Sequence, residues 1–308
     1  ILVILGIDDR ELLRGYSKRG SVFFLCLIGV FMAKFPNIIV ASPSRRYPAV
    51  GACIYCGTRA GKLNDEHIIP FAIGGNALVL PAASCRKCEI DNNKIEGPMH
   101  RRQLQPLRVV LNLPTRRPSS RSGQLPVGLS KFTTFNPGET AVSLGEASIL
   151  SENFPLLFCG LLLDKPGILL NLPLGTPLKW DSIIRLCYDP SRSPFVGEAN
   201  AVRLGEFNPY LSAQYLARIA YAYAVAEKGL TMFQPLVLDL IKGKTKYFRH
   251  WVGGDLEIPD AAPDRLHSIS HGWEIINGVR YLVVKLRLFS FLATPVYYVV
   301  VGQDLGEE

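Results

Sequence analysis

The chain has 308 residues, of which 48% are apolar and 19% charged. That excludes a disordered polymer and leaves enough length for two ordinary domains with a sizeable core. A net charge of +8 favours an anionic partner such as nucleic acid, although charge of this kind sets affinity and not specificity. A protein that is merely basic is the plainer alternative.

Residues 1–45 form an N-terminal apolar segment and linker. The run SVFFLCLIGVFMA (21–33) follows a basic stretch holding Arg10, Arg14, Lys18 and Arg19. This is the order of a signal peptide's basic and apolar regions. The run is shorter than the about 20 apolar residues that a membrane span needs. Met32-Ala33-Lys34 reads as the natural start, with residues 1–31 upstream of it. That reading gives a cytoplasmic protein with no membrane partner. Secretion is the minor alternative, and a buried strand or helix the plainest one. A Ser/Pro/Arg linker, ASPSRRYPA (41–49), ends the segment.

Residues 46–98 form a cysteine module. Cys53-x-x-Cys56 and Cys85-x-x-Cys88 bracket the doublet Glu66-His67. Leu63, Ile68 and Ile69 favour a short strand stopped by Pro70, and Gly74-Gly75 a turn. Residues 77–80 return as a strand, and 85–97 run as a helix. The order is strand, loop, strand, helix.

Residues 99–138 form an Arg-rich connector without Asp or Glu, holding His100, Arg101, Arg102, Arg108, Arg116, Arg117, Arg121 and Lys131. Pro106, Pro114, Pro118 and Pro126 break any long helix, so a partly extended segment with one strand at 107–113 is predicted. Arg101, Arg102, Arg116 and Arg117 are candidate phosphate contacts. A solvated loop is the plainer reading for any single one of them.

Residues 139–308 read as a mixed α+β domain of unknown role. A hairpin is predicted from 156–163 and 167–174. Asn208-Pro209 opens a helix over 210–230, in which Leu211, Tyr215, Ile219, Ala222 and Val225 recur at three or four and Gly229 is the stop. A second helix is predicted over 231–242, and a terminal hairpin from 279–291 and 296–303. His250, His267 and His271 lack a partner at diagnostic spacing and read as structural. Tyr215, Tyr221 and Tyr223 read as core.

Seven cysteines, two tight pairs among them, argue for metal in a reducing compartment over a disulfide framework. Cys26, Cys159 and Cys187 read as small hydrophobes. The other four have the spacing of a closed tetrahedral site for one structural zinc, with no open position for catalysis. Forty-odd residues bury too little apolar surface alone, so metal binding would contribute folding free energy. Chemistry must then come from what lies between the pairs. Gly57 to Lys62 is one residue short of a phosphate-loop pattern and lies outside a strand–helix unit, so it is set aside.

Cys53-x-x-Cys56, Glu66-His67-Ile68-Ile69-Pro70, Gly74-Gly75 and Cys85-x-x-Cys88, in that order, resemble the HNH endonucleases. The resemblance implies a small zinc-bound ββα-metal HNH module, which, followed by the mixed α+β C-terminal domain read from the pattern, makes an α+β fold. It implies metal-dependent hydrolysis of phosphodiester bonds in nucleic acid, DNA in the first place. His67 stands at the family's first His, the general base that deprotonates the attacking water. Glu66 stands at the acidic position, usually Asp, and would hold Mg²⁺ or a similar hard ion. The last motif letter, usually His or Asn, is Glu89 here, with Asn92 next in rank as a ligand on the same helical face. The middle Asn is absent or displaced, Asn76 being the nearest.

These departures keep a second reading open, a non-catalytic zinc-dependent nucleic-acid-binding protein. Adjacent strand residues face opposite ways, so Glu66 and His67 converge only if the strand ends or twists there. The C-terminal domain would choose the target, or serve a homodimer or a protein partner. In a third reading it is the main actor, with the nuclease as its effector arm.

Overall fold

The computed structural model describes residues 2–4, 44–117, 123–131, 142–153, 156–187, 201–203 and 207–305. The apolar run 21–33, the expected start at Met32, Cys26 and Arg121 lie outside the described residues.

Strands β1 (Leu2–Ile4), β2 (Arg45–Arg46) and β3 (Leu63–His67) come first. Pro70 ends the extended run after β3, and a single helical turn, α1 (Phe71–Gly74), follows it. Gly75 then takes φ +60°, which turns the chain into β4 (Leu78–Cys85). β4 returns antiparallel to β3, with Leu63 opposite Cys85 and His67 opposite Val79, and β2 adds in parallel on its other edge. Helix α2 (Arg86–Pro98) starts directly at Cys85 and buries Cys88, Asn92 and Ile95, a helical period. The strand, loop, strand, helix order predicted from the sequence is thus observed.

The connector opens as helix and is extended further on, over Gln124–Lys131. A π-helical turn over Met99–Gln103 leads into α3 (Gln105–Val110), where a strand was predicted. Pro106 lies in the first turn of α3, where its missing N–H breaks no helical bond. Leu104 and Leu107, three apart, are buried on one side. That spacing outweighs the β-branched pair Val109-Val110.

Strands β5 (Gln124–Lys131) and β6 (Val142–Leu150) pair antiparallel. β7 (Leu156–Leu162) pairs with β8 (Asp181–Cys187) and not with 167–174. In place of that predicted strand, Gly167–Leu170 is a 3₁₀ turn and Asn171 takes φ +53°. Pro166 and Pro173 remove the ladder donors a second strand would need. β9 (Ala201–Arg203) completes a sheet of order β1-β9-β5-β6.

Helix α4 (Pro209–Lys228) is the centre of the molecule. The Asn208 side chain caps it by accepting the Leu211 N–H at 2.9 Å, and Pro209 occupies the first turn. Gly229, at φ +89°, ends it. Its side chains are buried nearly all round from Ser212 to Val225, as an enclosed helix requires. After β10 (Phe233–Pro235), only α5 (Leu238–Ile241) of the predicted second helix forms, because Pro235 interrupts the segment.

β11 (Val252–Gly254), β12 (His267–Ile276), β13 (Val279–Leu288) and β14 (Tyr297–Asp304) join β10 in a five-stranded sheet. β13 and β14 form the predicted terminal pair. β12 joins β13 through Asn277-Gly278, at φ +50° and +79°, the left-handed turn that hairpins favour. Helix α4 packs against β13, β14, β7 and α2. Cys53, Ile68, Ile73 and Leu80 of the cysteine module therefore share one continuous buried cluster with Ala213–Val225 and the sheet. Cys159, Tyr215 and Tyr221 are buried in the core, while Tyr223 is half-buried. Among the described residues, no helix is long and apolar enough to cross a membrane.

Candidate functional site

Cys53 and Cys56 lie in the turn before β3, and Cys85 and Cys88 at the start of α2. The β3–β4 pairing brings them together: all four sulfurs lie within 4.8 Å of one another, and the Cys56 and Cys85 sulfurs are 3.7 Å apart. Tetrahedral zinc with bonds of about 2.3 Å needs sulfurs roughly 3.8 Å apart, so this donor set fits one zinc ion. The backbone N–H of Cys88 holds the Cys85 thiol down at about 7. Burial pushes the thiols of Cys53 and Cys88 up, so metal binding there must displace protons.

His67 is the last residue of β3. Its ring meets Phe71 edge-on at 5.7 Å, and the Arg116 guanidinium stands 6.0 Å from the Phe71 centroid. Nδ1 is buried with no hydrogen-bond partner. Burial, and then the charges of Arg116 and Arg218, lower the imidazole below its ordinary value against the opposing pull of Glu96 and Asp65. The ring is therefore neutral at neutral pH.

Glu66 turns the other way, into the core. The ladder shifts register between Asn64 and Glu66, and Glu66 is 5% exposed while His67 is half-buried. Glu66 Oε1 accepts from the Tyr55 hydroxyl at 2.8 Å and from Arg218 Nη2. Arg218 Nη1 lies 2.6 Å from Glu96 Oε1 in a second ion pair. Both contacts of Glu66 fall on Oε1. The side chains of Glu66 and His67 are not hydrogen-bonded to each other, in keeping with the alternation of a strand.

The residues ranked from the last motif letter lie apart from this pair. Glu89 accepts from Asn64 at 2.9 Å and from Arg86 at 3.1 Å, at the zinc end of β3. Asn92, one turn on, is 7% exposed, and its Nδ2 has no partner. Glu96 follows a further turn on and is the residue of α2 that reaches the Glu66 network. Sequence reasoning missed it, although Glu89, Asn92 and Glu96 share one helical face. It also missed Arg218. The signal was there: a single charge in the otherwise uncharged stretch from Pro209 to Ala226 must be paired.

Arg101, Arg102, Arg116 and Arg117 are all exposed. Arg108 is used inside the fold, donating to the carbonyls of Ala72 and His100. His100 is buried at 2.8 Å from the Tyr215 hydroxyl, and burial drives its imidazole down to about 3. It is thus neutral despite its place in a basic stretch.

These features define a ββα module whose four converged sulfurs fit one zinc ion, with a neutral imidazole at a strand end and the guanidinium charges of Arg116 and Arg218 acting on it. Residues 53–102 match the family model described as HNH endonuclease. No curated protein matches the chain, and no solved structure does.

Proposed function

We propose that the protein is a metal-dependent HNH endonuclease that hydrolyses phosphodiester bonds, in DNA first of all. The observation that carries this reading is that the family match spans the converged sulfurs together with His67. His67 acts as general base. Its Nδ1 is enclosed, which leaves Nε2 to take the proton from water. Arg116 beside it, with Arg101, Arg102 and Arg117, holds phosphate oxygens.

Mg²⁺ is bound through one or two carboxylates together with substrate phosphate, so three protein ligands are not required. Glu66 would hold it through Oε2, the oxygen that Tyr55 and Arg218 leave alone, with Glu89 and Asn92 as further candidate ligands. When bound, such an ion supplies charge stabilisation to the scissile phosphate and the leaving 3′ oxygen. The setting is the cytoplasm, and the C-terminal region is the surface for a second copy or a protein partner.

The test is supercoiled plasmid with Mg²⁺ or Mn²⁺, with wild type beside His67→Ala. Wild type should nick, and the variant should nick about 10²- to 10⁴-fold more slowly. Equal rates would remove His67 from the mechanism. No nicking by zinc-loaded wild type with either ion would remove the nuclease reading.

One observation favours a second reading, zinc-dependent nucleic-acid binding without cleavage. Glu66 is already satisfied by Arg218 and Tyr55, with no ion needed. That reading gives DNA binding that weakens steeply with salt and leaves the plasmid intact.

A further inference from the structure

Between Pro209 and Ala226, helix α4 carries one charged side chain, Arg218, and that side chain is 4% exposed. A guanidinium in such a place needs partners, and among the described residues those it pairs with, Glu66, the His67 carbonyl and Glu96, belong to the cysteine module. Nη2 donates to Glu66 Oε1 and lies 3.4 Å from the carbonyl oxygen of His67. Nη1 pairs with Glu96 Oε1 on α2. Burial alone would lower its affinity for a proton, but the two carboxylates outweigh that and keep it charged.

Arg218 does not act alone. Tyr215, Arg218 and Tyr221 recur at intervals of three on one face of α4. Tyr215 meets His100 in the turn after α2, at 2.8 Å. The Tyr221 hydroxyl donates to the Ile54 carbonyl at 2.7 Å, between the two cysteines of the first pair. Three successive contacts thus hold the end of the module, its candidate catalytic strand and its zinc knuckle.

We propose that Arg218 is a positioning residue for the nuclease site. Its fork ties the Glu66–His67 end of β3 to α2 and so fixes where the His67 ring and the Glu66 carboxylate stand. This rests on the nuclease reading above. The planar fork is what matters, because one guanidinium reaches a carboxylate on β3, a carbonyl on β3 and a carboxylate on α2 together. A lysine keeps the charge but presents a single point, and cannot bridge the three.

The test uses the full-length, zinc-loaded chain and Arg218→Lys. Two quantities are read: steady-state cleavage of a duplex, with its KM, and the rate at which diethyl pyrocarbonate modifies His67, followed by mass spectrometry. A displaced reacting group of this kind costs about 10²-fold, so kcat should fall by about that factor with KM and duplex affinity unchanged. Modification of His67 should quicken, since the enclosure of its ring depends on the held strand end. Wild-type kcat and wild-type modification in the folded variant would overturn the proposal. If wild type cleaves nothing, the nuclease reading fails, and the modification rate alone decides whether Arg218 positions His67. Should Arg218→Lys not fold, Glu96→Gln keeps the size of the side chain facing Nη1 while removing its charge. It should shift both readouts in the same direction by less, and no shift in either would overturn the proposal.

Discussion

His267 shows how a residue that resembles a site serves the fold. It lies on β12, with Nε2 3.0 Å from the Ile73 carbonyl, and its Nδ1 accepts the Phe289 N–H at 3.1 Å. Both ring nitrogens are used, so a second proton has no place, and burial pushes the imidazole down to about 4. The unfolded chain takes that proton near pH 6.5, while the folded one refuses it until about pH 4. Stability from this group is thus fully present above pH 6.5 and is lost as the pH falls toward 4. Its size is on the order of 3 kcal/mol. Denaturant unfolding between pH 7.5 and 4.5 should show a shallower loss for His267→Gln than for wild type. Parallel curves would show that His267 is not the group responsible.

At the scale of elements, the convergence of the four cysteines and the ββα order were legible because their signals are local. Two Cys-x-x-Cys pairs, a proline after a short apolar run and a glycine turn each act within a few residues. The failures came where a local signal competed with packing. A strand was predicted at 107–113, yet the Leu104–Leu107 spacing and a first-turn proline made a helix. In His267–Ile276 the strand signal is the alternation of Ile269, His271 and Trp273 with the small residues Ser268, Ser270 and Gly272. The knuckle itself gives a direct expectation. Purified protein should carry about one zinc per chain by metal analysis. Cys53→Ser should lose it and melt at a lower temperature, since Cys53 and Ile54 sit in the common core. A variant with undiminished zinc would contradict the four-sulfur site.

Across the whole molecule, the cysteine module and the C-terminal region meet in one core, with α4 between the module and the sheet. The contact that joins them most closely, Arg218 to Glu66, links residues 152 apart in sequence. No window-based reading could pair them, because only the packing of α4 against α2 and β3 does so. What the sequence could offer was the oddity of one arginine in an apolar helix, and the run of Glu89, Asn92 and Glu96 along one face of α2. The departures at the last motif letter therefore have a physical setting. Glu89 is held by Asn64 and Arg86 near the zinc end, while the carboxylate nearest the Glu66 network is Glu96.

The central claim is that His67 directs water onto a phosphodiester and that the 3′ oxygen leaves. Cleavage of duplex DNA by the zinc-loaded chain in ¹⁸O-water with Mg²⁺ or Mn²⁺ tests it most directly. The account predicts new 5′-phosphate and 3′-hydroxyl ends, ¹⁸O in the 5′-phosphate, and the loss of both the cut and the label in His67→Ala. Uncut DNA, unlabelled phosphate, or label that persists in the variant would contradict it.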